Sequence, residues 1–143
     1  MGFTSRFYTK YDFVFTQCYG IIDDSSLYVH LLNFNIEAEA NGMKTIKELV
    51  DTRRIKNVDK ATIRGLIELV AYDAERSSGR LEFLSIVVAD PLIEEMASIY
   101  ASSINASKED VGIFHDVNTA LSWLGYNEQD VYILSKFMNK HRV

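Results

Sequence analysis

The run Ile86-Val87-Val88-Ala89, followed at once by Asp90-Pro91, constrains this chain more than any other feature. Consecutive apolar residues leave no polar face, so a strand built from them must be covered on both sides. Strands of that kind sit inside parallel sheets, whose neighbours are joined by helical crossovers. Asp90 can cap a helix, and Pro91 suits a first helical position, where its missing N–H costs nothing. The run predicts an interior strand of a two-sided α/β sheet with a helix directly after it.

The rest of the chain fits that plan. "FTSRFYTKYDFVFTQCYG" reads as two strands. Phe13, Phe15, Gln17 and Tyr19 alternate with Val14, Thr16 and Cys18, and Thr9 to Tyr11 is the expected hairpin turn. "DDSSLYVHLLNFNIEAEANG" reads as a helix capped by Asp24 or Ser25, with Leu27, Leu31, Phe34 and Ala38 on one face and Gly42 at its end. "IKELVDT" is a strand. A second helix runs from Asp59 to about Ser77, with Ile63, Leu66, Ile67, Val70, Ala71 and Ala74 as its apolar stripe and Gly79 as its stop. After Pro91, Leu92, Ile93, Met96, Ala97 and Tyr100 form the next helical face. "DVGIF" is a last strand, "HDVNTALSWLG" a short helix capped by Asp116, and "NEQDVYILSKFMNKHRV" a final helix capped by Asn127. The order β-β-α-β-α-β-α-β-α-α predicts an α/β fold. Its mixed, mostly parallel sheet has four to five strands and an N-terminal antiparallel edge strand, and is packed with four to five helices.

Length and composition suit one domain: 143 residues, 48% hydrophobic, with eight Phe and eight Tyr. We expect 1–126 to form the main body and 127–143 a helical extension of the same domain. The single Cys18 cannot make an internal disulfide, which points to a reducing, cytoplasmic setting. No stretch approaches the length of a membrane span. A formal charge of −5 disfavours nucleic acid as a partner.

The charge is uneven. Between Asp51 and Arg64 lie five basic residues (Arg53, Arg54, Lys56, Lys60, Arg64) and two acidic ones, a basic island of +3 on a remainder of −8. We expect Arg53, Arg54 and Lys56 in a loop and Lys60 and Arg64 on the exposed face of the second helix. There they would face an acidic protein surface or an anionic ligand. Asp51, Asp90, His115 and Asp116 close predicted strands and form a candidate polar cluster on one sheet edge. Asp90 and Asp116 are better read as helix caps than as cation ligands. Asp51 is expected to accept loop amides or to pair with Arg53 or Arg54. The three histidines show no metal spacing, and no Gly-rich phosphate loop or nucleophile elbow is present. These observations argue against an enzyme and imply no metal and no cofactor.

Three segments carry a resemblance: "ELVDTRRIKNVD", "IVVADPLIEEMASIY" and "GIFHDVNTALSWLG". Together they resemble the SpoIIAA-like branch of the STAS superfamily, small α/β proteins related to anti-sigma-factor antagonists. The resemblance covers roughly Tyr11 to Gly125. It implies a STAS-type sheet and a non-enzymatic, protein-interaction role in which the loop and helix of the basic island meet the partner. In those relatives this loop carries Asp-Ser-Ser-Gly, and phosphorylation of the second Ser breaks the partner complex. This chain has Asp59-Lys60-Ala61-Thr62 there. The acceptor position falls on Ala61, which has no hydroxyl, and leaves Thr62, one step on, as the one possible phosphoacceptor.

Two alternatives stand beside that reading. A pocket between sheet and helices would hold a lipid or a small apolar ligand. A phosphoreceiver-like domain would use Asp23-Asp24 and Asp90, but only 53 residues follow Asp90 and the last strand ends without a Lys. We also expect a homodimer, paired through the aromatic N-terminal edge or through Val131, Leu134, Phe137 and Met138 of the last helix.

Overall fold

The computed structural model describes residues 2–76, 79–104 and 109–143, and of positions 63, 70, 73–76, 103, 104 and 109 the backbone alone. Strand β1 (Gly2–Tyr8) runs antiparallel to β2 (Phe13–Asp23), and a 3-10 turn over Thr9–Tyr11 joins them. Asp12 closes the turn at φ 53°, a left-handed conformation that Asp tolerates better than most residues. Helix α1 (Asp24–Ala40), β3 (Thr45–Lys60), α2 (Ile63–Arg76), β4 (Leu81–Val87), α3 (Pro91–Ile104), β5 (Glu109–Phe114), α4 (Val117–Trp123) and α5 (Glu128–His141) follow.

The sheet order is β1-β2-β3-β4-β5, with β2 to β5 parallel. Each crossover adds the next strand in the same direction, so crossovers of one hand place α1, α2 and α3 on one face. Contacts of α1 with α2 and of α2 with α3 agree. α4 and α5 cover the other face.

Period-two alternation divides the core between these layers. Phe13, Phe15, Leu49 and Val87 pack under Leu121, Leu124, Leu134 and Met138. Val14 and Ile46 meet Phe34 and Ala38 of α1, while Leu84 and Ile86 meet Ala97 of α3. β4 is interior as expected, with Val87 and Val88 fully buried, although β3 is the middle strand and Ala89 is exposed.

Several expectations need correction. α1 is capped by Asp23: its carboxylate accepts the Ser26 N–H at 2.7 Å, while the Ser26 hydroxyl accepts the Asp23 N–H in return. The second helix opens at Ile63, and Asp59 belongs to β3. Among its described side chains Leu66 and Leu69 are buried, whereas Ile67 and Ala71 face out. The side chains of Ile63, Val70 and Ala74, and the expected end near Ser77, lie outside the described residues. Leu92 is exposed on α3.

α5 is part of the core. Leu134 and Met138 are fully buried, and Val131 and Phe137 pack beside them. The apolar face expected to drive self-association is therefore consumed within the monomer. Among the described residues no helix is long and apolar enough to cross a membrane.

Candidate functional site

The basic island lies on an extension of the sheet. β4 pairs with β3 only as far as Asp51, and β1 pairs with β2 only as far as Tyr19. Beyond those points β2 and β3 continue alone as a two-stranded ribbon to Asp23 and Lys60. The register shifts three times along it. Gln17 to Tyr19 faces Asp51 to Arg54, Gly20 to Ile21 faces Ile55 to Asn57, and Ile21 to Asp23 faces Asn57 to Lys60. β3 gains one residue at each step, a bulge that bends and twists the strand. Thr52, Ile55, Val58 and Ala61 thus turn inward at every third residue, all four lining one cavity. Arg53-Arg54, Lys56-Asn57 and Asp59-Lys60 fill the exposed positions between them.

Arg53, Arg54 and Lys56 accordingly sit in a strand rather than a loop, Lys60 ends that strand, and only Arg64 is helical. Two of the five cations have partners. Arg53 donates through Nε and Nη2 to the two carboxylate oxygens of Asp51, both at 2.9 Å. Arg64 pairs with Glu68 one turn along α2. Arg54, Lys56 and Lys60 are exposed and form no ion pair among the described residues.

Asp51 anchors the base of the ribbon. It is almost fully buried, and besides Arg53 it accepts Nη1 of Arg142, beyond α5, at 2.9 Å. Burial pushes its pKa up, but the hydrogen bonds from Arg53 and Arg142 outweigh that and hold it below the ordinary carboxylate value. Close by, Gln17 Oε1 accepts the Val143 N–H at 2.9 Å.

At the far end of the ribbon, Thr62 opens α2. Its N–H and hydroxyl donate to the two oxygens of Asp24, at 2.9 and 2.8 Å, and its Oγ1 accepts the Gly65 N–H at 2.9 Å. A carboxylate of α1 thus already occupies the positive end of α2. Nothing in the sequence pairs residues 38 apart in this way.

The other strand-end residues have separate roles. Asp90 caps α3 by accepting the Leu92 N–H at 2.8 Å. Asp116 caps α4, and the Thr119 N–H and hydroxyl that it accepts lower its pKa, with a smaller push from His115. His115 Nε2 lies 2.6 Å from Oε1 of Glu94 on α3. Among the described residues no group of His, Cys, Asp and Glu is arranged to hold a metal ion.

A cavity of about 160 Å³ lies between the sheet and α1–α3. Its walls are mainly aliphatic, with Cys18, Glu48, Thr52, His30 and Tyr100 as the polar exceptions. Burial, followed by the nearby Glu48 and Asp51 charges, pushes the Cys18 thiol well up, so it is a poor nucleophile. Glu48 is the least expected resident. Ser5 donates to Thr16, 2.8 Å away, and Thr16 donates to Oε2 of Glu48. The charge in the middle of "IKELVDT" was the visible signal of this chain of hydrogen bonds. Phe3 stacks on His30 with 4.4 Å between ring centroids, and both also line a groove of about 440 Å³ between β1 and α1.

No family model matches the chain, and no curated protein matches it in sequence. Among solved structures it is similar to an uncharacterized protein from the DUF3478 family with a SpoIIAA-like fold, from Shewanella loihica PV-4. Identity is 16%, the match covers 86% of this chain and 94% of that one, and the TM-score is 0.58. The fold is SpoIIAA-like. In this SpoIIAA-like frame the stretch Asp59-Lys60-Ala61-Thr62 joins β3 to α2. Ala61 lines the inner cavity and Thr62 is held by Asp24.

Proposed function

We propose that this chain is a non-catalytic interaction module of the cytoplasm that recognises an acidic protein segment along the outer face of the β2–β3 ribbon. The observation that carries the reading is the trio Arg54, Lys56 and Lys60: exposed, without ion pairs among the described residues, and held on a bulged strand anchored at Asp51. On a chain of net −5 such a patch directs an acidic partner to one place. Arg53 and Arg64 contribute less, because Asp51 and Glu68 already occupy them. The kinase-driven switch of the resembling family has no acceptor at Ala61.

The test uses a labelled acidic peptide rich in Glu and Asp, titrated at low and at physiological salt. Binding that weakens with salt and is lost in Arg54→Glu/Lys60→Glu supports the reading. Equal affinity and equal salt dependence in the double variant overturn it. The reading includes a homodimer paired along the outer edge of β1, since no strand lies beyond it among the described residues. Light scattering that gives 16.3 kDa at high concentration removes that part.

A further inference from the structure

The cavity beneath α1–α3 is distinct from the ribbon surface and has its own chemistry. Its volume of about 160 Å³ is close to that of engineered apolar cavities, ~150 Å³, which take up benzene-sized molecules. Ile22, Leu31, Val50, Leu66, Ile86 and Met96 are among the aliphatic residues of the wall, which favours an apolar body.

Two polar features narrow the choice. Glu48 sits in the wall with Oε2 engaged by Thr16, and a second anion beside it would be repelled. His30 reaches the cavity from α1, and its ring nitrogens have no hydrogen-bond partner among the described residues. Burial lowers its pKa to about 4, so the ring is neutral and offers one N–H donor and one acceptor nitrogen. The stack on Phe3 fixes the plane of the ring.

We propose that this cavity is a binding site for an uncharged single-ring molecule bearing one hydroxyl, such as a phenol, with the ring among the aliphatic walls and the hydroxyl on His30. An anionic terminus is disfavoured, because Glu48 repels it and the apolar walls do not solvate it.

The experiment titrates the full chain with p-cresol, toluene and benzoate, followed by amide and methyl chemical shifts. The proposal expects saturable binding of p-cresol that perturbs the residues of the wall. Toluene should bind about fivefold more weakly, the worth of one hydrogen bond, and benzoate should not bind measurably. His30→Phe keeps an aromatic stack on Phe3 and should reduce p-cresol to the affinity of toluene. Ala97→Phe, placed in the wall by a buried α3 residue, should fill the space and abolish binding. Ala97→Leu serves in its place if the Phe variant does not fold. Failure of p-cresol to saturate, tighter binding of benzoate, or unchanged affinity in the filled variant overturns the proposal.

Discussion

Arg142 places its Nη1 2.9 Å from Oδ2 of Asp51, a residue 91 positions earlier in the chain. The contact fastens the segment after α5 to the middle strand of the sheet, at the point where the β2–β3 ribbon leaves it. Asp51 is almost fully buried and receives two guanidinium groups, so its neutralisation leaves both without their partner. We expect Asp51→Asn to cost about 2–3 kcal/mol in urea unfolding, and Arg142→Ala about 1 kcal/mol because that side chain is partly exposed. The pKa of Asp51 is lowered in the fold, so its stabilisation is complete above the unfolded value of about 4 and is lost as pH falls through the folded one. The gap between acid titrations of wild type and Asp51→Asn should therefore begin to close below about pH 4 and close fully only below the folded pKa. A constant gap down to low pH contradicts the assignment.

Val87 has no exposed surface, and β3 and β5 flank its strand. A carboxylate there would be buried in the apolar layer beneath α4 and α5. Val87→Asp should lose about 4 kcal/mol or more, enough to unfold a domain of ordinary stability. A melting temperature within a few degrees of wild type would show that the strand is not interior.

The hydroxyl of Thr62 is fully used, donating to Asp24 and accepting from Gly65. Thr62→Glu removes a cap and sets a second carboxylate against the first, and should lower stability by about 1–2 kcal/mol. On an Asp24→Asn background the same change should cost less, because the like-charge contact has gone. Intact-mass measurement on protein from native cells should find no stoichiometric phosphate. A fully phosphorylated species would show that the switch has moved from position 61 to Thr62.

Gly112 lies beneath the aromatic pair Phe114 and Trp123, whose ring centroids are 5.5 Å apart. A Cβ at Gly112 would stand 2.6 Å from the Phe114 ring and 3.0 Å from the Trp123 ring. Gly112→Ala should cost about 1–3 kcal/mol by overpacking, despite the better strand propensity of Ala. A neutral or stabilising result in thermal unfolding would mean that the pair shifts freely.

Much of this architecture was legible in the sequence because local patterns and global packing agree. The alternation through Phe13 and Phe15, the caps at Asp90, Asp116 and Asn127, and the apolar run at Val87 each encode their environment within a few residues. The ribbon was illegible for an equally physical reason. "TRRIKNVDKAT" carries its inward residues at a spacing of three, which matches neither a flat strand nor a helix, and a bulge at each step reconciles it with pairing to β2. Read locally it is a polar loop, and Asp59 looks like a helix cap.

The fate of α5 shows the same division. Its amphipathic stripe established that Leu134 and Met138 must be buried, but an exposed stripe and a self-packed one have the same period. Only the sheet order decided that they fill the monomer's own core. The sequence by itself determined the order of strands and helices, the two-sided sheet and the clustering of positive charge between residues 53 and 64. The tertiary structure alone decided which charges remain unpaired, since Arg53 meets Asp51 through a bend in one strand and Arg142 reaches it across most of the chain. Pairing of charges depends on distance in space, and neither composition nor periodicity carries that distance.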